Sequence, residues 1–284
     1  MPESRCHPQL ESLAAAQLEQ LQALRALIAA QQRVLVAYSG GVDSTLVAAI
    51  AVEQLGERAL AVTGVSPALA PHLLEEARWQ AAWLGVQHRE QPTAELNDPL
   101  YASNPQDRCY YCKRELHQLL AQLAASTAAA QVLDGVNLDD LGDHRPGLKA
   151  AAERQVLSPL ALCNIDKHGV RAISRALGFP WWDKPAQPCL ASRFPYGEAI
   201  SAPRLQRVAQ AERWLQQRGY HRVRVRSQGD TARIEIPVEQ ISTFLQELNR
   251  EVVVEAFASL GFQAVSLDLE GLISGKLNRA LAAD

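Results

Sequence analysis

Val34-Leu35-Val36-Ala37-Tyr38-Ser39-Gly40-Gly41-Val42-Asp43-Ser44 is the stretch that decides the fold. Its apolar opening is too short for a helix and reads as a strand buried on both faces of a parallel sheet. The glycines turn the chain, and an Ala-rich helical run follows as far as Gly56. Two glycines let a backbone approach a phosphate closely, while hydroxyls and the free N–H groups of a helix start donate to its oxygens. Asp43 places a carboxylate beside those phosphates, which makes sense when a Mg2+ lies between them. No Lys-Ser/Thr pair follows the glycines, so this is not the Walker loop.

Outward from this stretch the period keeps switching. Leu10, Leu13, Leu18, Leu21, Leu24, Leu27 and Ile28 recur at helical spacing, so an amphipathic helix precedes the strand. Residues 59–63 read as a strand, 71–84 as a helix, 86–89 as a strand and 113–129 as a helix. Val132-Leu133-Asp134 opens another strand, which ends in Gly135-Val136-Asn137-Leu138-Asp139-Asp140. This alternation predicts an α/β fold, a mostly parallel sheet with helices on both faces and ligands outside the strand C-terminal ends. Residues 170–177 read as a further helix, stopped by Gly178. Pro180, Pro185, Pro188, Pro195 and Pro203 then crowd a segment that cannot be regular helix, and the domain junction is expected there. The expected domains are 1–190 and a small α+β domain, 191–284. In the latter, 205–217 is helical, and 222–226 and 232–236 alternate as a hairpin around Gly229. Helices at 238–248 and up to 260 and a strand at 262–267 complete it.

Composition narrows the class. The 284 residues suit about two domains, and 48% hydrophobic with 21% charged residues excludes a disordered or collagenous chain. Lys+Arg 28 against Asp+Glu 31 leaves a net charge of −3, which speaks against non-specific nucleic-acid binding. The longest apolar run, 46–52, is far short of the roughly 20 residues that cross a bilayer, so a cytoplasmic protein is expected. Five cysteines (Cys6, Cys109, Cys112, Cys163 and Cys189) are too scattered for a disulfide framework. The Cys109/Cys112 pair reads as metal-binding or reactive, or as two small hydrophobes at a helix start.

Ser39-Gly40-Gly41-Val42-Asp43-Ser44 closely resembles the PP-loop of the N-type ATP pyrophosphatases, which bind ATP, transfer AMP to an oxygen and release pyrophosphate. A wider set of motifs resembles the LarE family. In order, they are Arg108-Cys109-Tyr110-Tyr111-Cys112-Lys113, the segment from Asp134 to Asp140, His144-Arg145-Pro146-Gly147, Trp182-Asp183-Lys184-Pro185, Pro188-Cys189-Leu190-Ala191-Ser192-Arg193-Phe194-Pro195-Tyr196-Gly197 and Leu267-Asp268-Leu269-Glu270-Gly271. The likeness runs from about residue 34 to 278.

The resemblance implies ATP-dependent sulfur insertion into pyridinium-3,5-biscarboxylic acid mononucleotide, during assembly of the nickel-pincer nucleotide cofactor of lactate racemase. ATP and Mg2+ are the implied cofactors. The partners would be the mononucleotide and the lactate racemase maturation proteins, with no membrane and a homo-oligomeric assembly. Carried over by position, Cys189 is the sulfur-bearing cysteine, its thiolate favoured by cations such as Arg193 or Lys184. Arg224 and Arg226, with Ser192 and Arg193, would hold the substrate phosphate. Three arginines at period two, Arg222, Arg224 and Arg226, suit that task, though the same pattern describes a solvated hairpin face. Glu212 and Glu235 are implied as metal-associated acids. Asp139 or Asp140 would share Mg2+ with Asp43, unless the pair is only a solvated turn. Cys109, Cys112 and Cys189 would suit a four-iron four-sulfur cluster carrying exogenous sulfide, with zinc as the chemical rival. The competing enzyme readings are a PP-loop tRNA thiolase and an ammonia-using amidotransferase. A nucleotide-binding protein without catalysis is the non-enzymatic one.

Overall fold

The first strand, β1 (Val34–Ala37), is buried along its whole length. Its side chains alternate between two cores: Val34 and Val36 join one, Leu35 and Ala37 the other. In the computed structural model, which describes residues 9–127, 130–142, 146–273 and 275–281, this strand is central to a four-stranded sheet. The sheet order is β3-β2-β1-β4, all parallel, with β2 (Ala59–Val65), β3 (Gln87–Pro92) and β4 (Gln131–Leu133).

Helices α1 (Ala15–Ala29), α2 (Val42–Leu55), α3 (Pro71–Leu84) and α5 (Lys167–Ala176) supply the core on one face. Helix α4 (Arg108–Ser126) covers the other through Leu120 and Ala124. Leu46, Ile50 and Leu35 are fully enclosed, each contributing about 1.5–3 kcal/mol by leaving water. Helix α2 stops at Gly56, whose φ of +56° ends it cheaply. These elements belong to a compact unit made of the chain up to Ser66, then Pro71–Glu95 and Asp107–Gln187.

The strand order matters for the site. The crossover after β1 goes to β2 on one side, whereas β4 lies on the other, so the order reverses beside β1. In open α/β sheets ligands bind at that reversal, outside the carboxyl ends of the strands.

The second unit takes Pro188–Asp284 together with two short segments from earlier in the chain, Pro67–Ala70 and Leu96–Gln106. Helix α6 (Ala202–Gln216) packs on β5 (Arg224–Gln228), which pairs antiparallel with β6 (Thr231–Glu235), and β6 pairs parallel with β7 (Ala264–Leu267). Helices α7 (Ile241–Glu247) and α8 (Arg250–Ser259) complete it. The two short segments hold one loop. Asn104, fully buried, donates to the Pro195 carbonyl at 2.7 Å, and the Ala68 carbonyl accepts from Leu190 N–H at 2.9 Å.

Most elements shift by a few residues from their expected bounds, and the shifts of α4, β3 and the hairpin strands have a readable cause. Helix α4 begins at Arg108 rather than 113, because its first turn carries polar and aromatic residues that show no apolar period. Strand β3 runs on to Pro92, since an edge strand exposed along much of its length has no apolar pattern to read. The hairpin strands lie closer to their turn than expected, which leaves Arg222 outside the ladder. Among the described residues, no helix is long and apolar enough to cross a membrane.

His117, on α4, is buried, and its pKa is pushed down to about 4 by burial and then by the nearby charge of Lys113, with the Ala150 main chain acting the other way. Folding therefore favours the neutral ring. The stability gained is complete above pH 6.5 and is lost as pH falls toward 4, at up to about 1.4 kcal/mol per pH unit. Thermal melts at pH 7 and pH 5 should show a larger drop in Tm for the wild type than for His117→Leu, which has no ring to protonate when unfolded.

Candidate active site

The loop leaving β1 is braced by its own hydroxyls. Ser39 N–H donates to Ser44 Oγ at 3.2 Å, Gly41 N–H to Ser39 Oγ at 3.3 Å, and Ser44 Oγ to the Gly41 carbonyl at 3.2 Å. Gly40 has φ +69°, and a Cβ there would lie 3.1 Å from Ala77 Cβ. The loop leaving β4 comes closer still: a Cβ on Gly135 would sit 2.7 Å from the Ser44 nitrogen. Two backbones thus meet at the first turn of α2, where N–H groups have no intrahelical partner and the helix dipole favours an anion.

That approach delivers Asn137 to Asp43. Asn137 Nδ2 donates to Asp43 Oδ1 at 2.8 Å, and its main-chain N–H donates to Asp140 Oδ2 at 3.2 Å. Burial raises the Asp43 pKa, the Asn137 hydrogen bond opposes this, and the negative charge of Asp140 raises it again. Asp140 is buried and pairs with Lys167 at 3.5 Å. Asp139 is exposed and accepts from Lys167 N–H. Two carboxylates held close to one asparagine, one of them buried and the other mostly so, are the oxygen donor set a hard divalent cation takes, so Asp43 and Asp140 fit a Mg2+.

Lys184 also belongs to this loop. Its ammonium donates to the Gly40 carbonyl at 3.2 Å and pairs with Glu76 Oε2 at 2.7 Å. Neither Asn137 nor the Lys184–Glu76 pair is singled out by sequence reasoning. The available signals are a polar residue in the loop that follows a strand, and a lone lysine among prolines.

In the second unit, Cys189 is half-buried and precedes the short turn Leu190–Arg193. Arg193 is buried and heavily engaged. Its Nε and Nη2 donate to the two Glu212 oxygens at 2.8 and 3.1 Å. Its Nη1 reaches the carbonyls of Pro188 and Cys189 and the Ser192 hydroxyl. Glu212 Oε1 additionally accepts from Val225 N–H, between Arg224 and Arg226 on β5. Arg226 donates to Glu235 Oε1 at 3.0 Å and to the Ser192 carbonyl at 2.7 Å.

The two glutamates expected beside a metal each pair with an arginine. Arg193 pairs with Glu212 and Arg226 with Glu235, which Arg233 also approaches at 3.7 Å, so arginines outnumber the two glutamates in this largely buried place. The Arg224 guanidinium makes no hydrogen bond or ion pair with another described residue. Its pKa is lowered by burial and then by the charges of Arg193 and Arg226. An anion is what such a guanidinium lacks. Arg222 is exposed and outside β5, so the expected stripe of three reduces to two.

Cys109 and Cys112 lie in the opening turns of α4, the first exposed and the second half-buried. Among the described residues, no three His, Cys, Asp or Glu side chains are grouped to hold a metal ion, and the iron–sulfur reading gains no support there. Cys6, His144 and Arg145 lie outside the described residues.

Comparison with known proteins adds the chemistry's context. A family model described as asparagine synthase matches residues 18–97, the part that holds the phosphate loop. An uncharacterized protein of Synechocystis sp. is 54% identical over 261 residues, 92% of this chain and 97% of that one. The pyridinium-3,5-bisthiocarboxylic acid mononucleotide synthase of Lactiplantibacillus plantarum is 38% identical over 254 residues, 88% of this chain and 90% of that protein. The chain belongs to the LarE family.

An uncharacterized protein of Methanocaldococcus jannaschii is a more distant relative, 28% identical over 239 residues, 84% of this chain and 90% of that one. LarE membership and the PP-loop domain make this chain an ATP-using enzyme, and Mg2+ accompanies ATP in such chemistry. In this LarE chain, Asp43→Asn should reduce pyrophosphate release about 100-fold or more, because it removes one of the two carboxylates that fit a Mg2+. Its Tm should equal or exceed the wild-type value, because a mostly buried charge facing Asp140 is also removed. Pyrophosphate assay and thermal melt on one preparation check both.

Proposed function

We propose that this chain is an ATP-dependent sulfur transferase acting on pyridinium-3,5-biscarboxylic acid mononucleotide, in the route to the nickel-pincer nucleotide of lactate racemase. The observation that carries this reading is the 38% identity, along 88% of the chain, to a synthase named for the bisthiocarboxylic acid mononucleotide. The residues support it. A carboxylate oxygen is a poor leaving group, so the first task is to attach AMP to it. Ser39, Gly40, Gly41, Val42, Asp43 and Ser44 bind the phosphates; Asp43 and Asp140 would hold a Mg2+, which when bound would supply charge screening for the triphosphate. The substrate carboxylate attacks the α-phosphorus, and pyrophosphate leaves.

The second task falls to Cys189. As a thiolate it attacks the acyl carbon, AMP departs, and a thioester remains. Loss of the Cα proton and cleavage of the Cβ–Sγ bond then leave the sulfur on the substrate as thiocarboxylate and the residue as dehydroalanine. A half-exposed thiol beside Arg193 suits that attack better than an enclosed one. Arg224 and Arg226, with Ser192 and Arg193 alongside, hold the substrate's 5′-phosphate; Arg224 is the guanidinium still short of an anion.

Intact mass before and after turnover with ATP, Mg2+ and the mononucleotide tests the sulfur step. The expected result is loss of the elements of hydrogen sulfide from Cys189 for each thiocarboxylate formed. Thiolated product with an unchanged protein mass would place the sulfur source elsewhere. Replacing Arg224 and Arg226 together by Ala should raise KM for the mononucleotide about tenfold or more while leaving KM for ATP near wild type, as steady-state kinetics will show.

A further inference from the structure

We propose that Lys184 is a triphosphate-contacting residue and that Glu76 is the counter-ion it gives up when ATP binds; this rests on the ATP-using reading above. The Lys184 ammonium touches the phosphate loop itself, at the Gly40 carbonyl. An ammonium has three donors. The Gly40 carbonyl and Glu76 take two, and one is left for a phosphate oxygen.

The surroundings aim the pair. Glu76, Trp79, Gln80 and Trp83 follow one another at three- and four-residue spacing on α3, so they share a face. Gln80 is fully buried, and its Oε1 accepts from both Tyr38 and Thr45 hydroxyls at 3.2 and 3.1 Å. Its amide nitrogen is thereby turned to Glu76 Oε1, at 3.3 Å. Tyr38 directly follows β1 and Thr45 sits in the first turn of α2, so Glu76 is tied to both flanks of the phosphate loop. The backbone of Lys184 is fixed as well. Its N–H donates to the Trp181 carbonyl, and the Trp181 ring packs against Trp79, Trp83 and Phe179.

Charge decides the role. Asp43, Asp140 and Glu76 outnumber Lys167 and Lys184 around the loop, three to two. A Mg2+ held by the two aspartates would offset their charge, and a bound triphosphate brings further negative charge that calls for a cation. Lys184 is nine-tenths enclosed, whereas Glu76 is about one-third exposed. Water can therefore take over the carboxylate when the ammonium turns to phosphate, which keeps the exchange inexpensive. Loss of pyrophosphate returns the ammonium to Glu76.

Calorimetry with a non-hydrolysable ATP analogue and Mg2+, and separately with AMP, tests this on the full chain. Lys184→Met should weaken the analogue about tenfold or more and leave AMP within about twofold. Lys184→Arg, which keeps the charge, should restore most of the analogue's affinity and serves as the folding control. Glu76→Gln keeps its hydrogen bonds but frees the ammonium, so it should bind the analogue more tightly and be inhibited more strongly by pyrophosphate. Opposite signs for the two positions are the signature; a structural ion pair would lose affinity at both. Wild-type analogue affinity in Lys184→Met, or equal weakening in Glu76→Gln, overturns the proposal. A wild-type chain that binds no ATP analogue at all would instead overturn the enzymatic reading beneath it.

Discussion

The contact between the Gly135 backbone and the Ser44 nitrogen leaves no room for even a methyl group, and the first unit's chemistry depends on it. The chain leaving β4 passes directly beside the opening turn of helix α2, whose N–H groups have no intrahelical partner. That passage needs the strand order β2-β1-β4, which in turn needs β1 to be apolar on both faces. Asn137, two residues beyond Gly135, then meets Asp43 without further adjustment. A backbone clearance therefore sets one asparagine between two acids far apart in the chain.

The second unit is organised by buried charge. An ion pair such as Arg193–Glu212 or Arg226–Glu235 repays its desolvation only when its hydrogen bonds are nearly complete, and apolar residues would often be as stable. Their value here is geometric. Arg193 gathers the carbonyls that flank Cys189, while Glu212 ties the same guanidinium to the β5 backbone between Arg224 and Arg226. One carboxylate thus fixes the cysteine loop and the arginine strand against each other within the unit.

Much of the first unit is legible in the sequence because periodicity carries it. The run at β1, the glycine turn and the 71–84 helix fall where their patterns put them. Boundaries fail where burial is one-sided or polar, as in β3 and the opening of α4, since the hydrophobic signal is absent there. In the site, Ser39 to Ser44 are readable as a contiguous loop. The choice between Asp139 and Asp140 is not: they are chemically identical neighbours, and only the turn that buries one and exposes the other separates them. The partners of Lys184 and Glu212 are equally hidden, because each is set by packing between segments far apart in sequence.

The loop that carries Cys189 leans on Ala68 and Asn104, which the chain supplies some eighty to one hundred and twenty residues earlier. The second unit is therefore no appendage that recombination could exchange at a single junction. A cassette cut at Gln187–Pro188 would carry the cysteine away from the main-chain groups that shape its loop. Drift in two short stretches, Pro67–Ala70 and Leu96–Gln106, is answerable to the shape of a loop that begins at Pro188, and the two parts can change only as one inheritance.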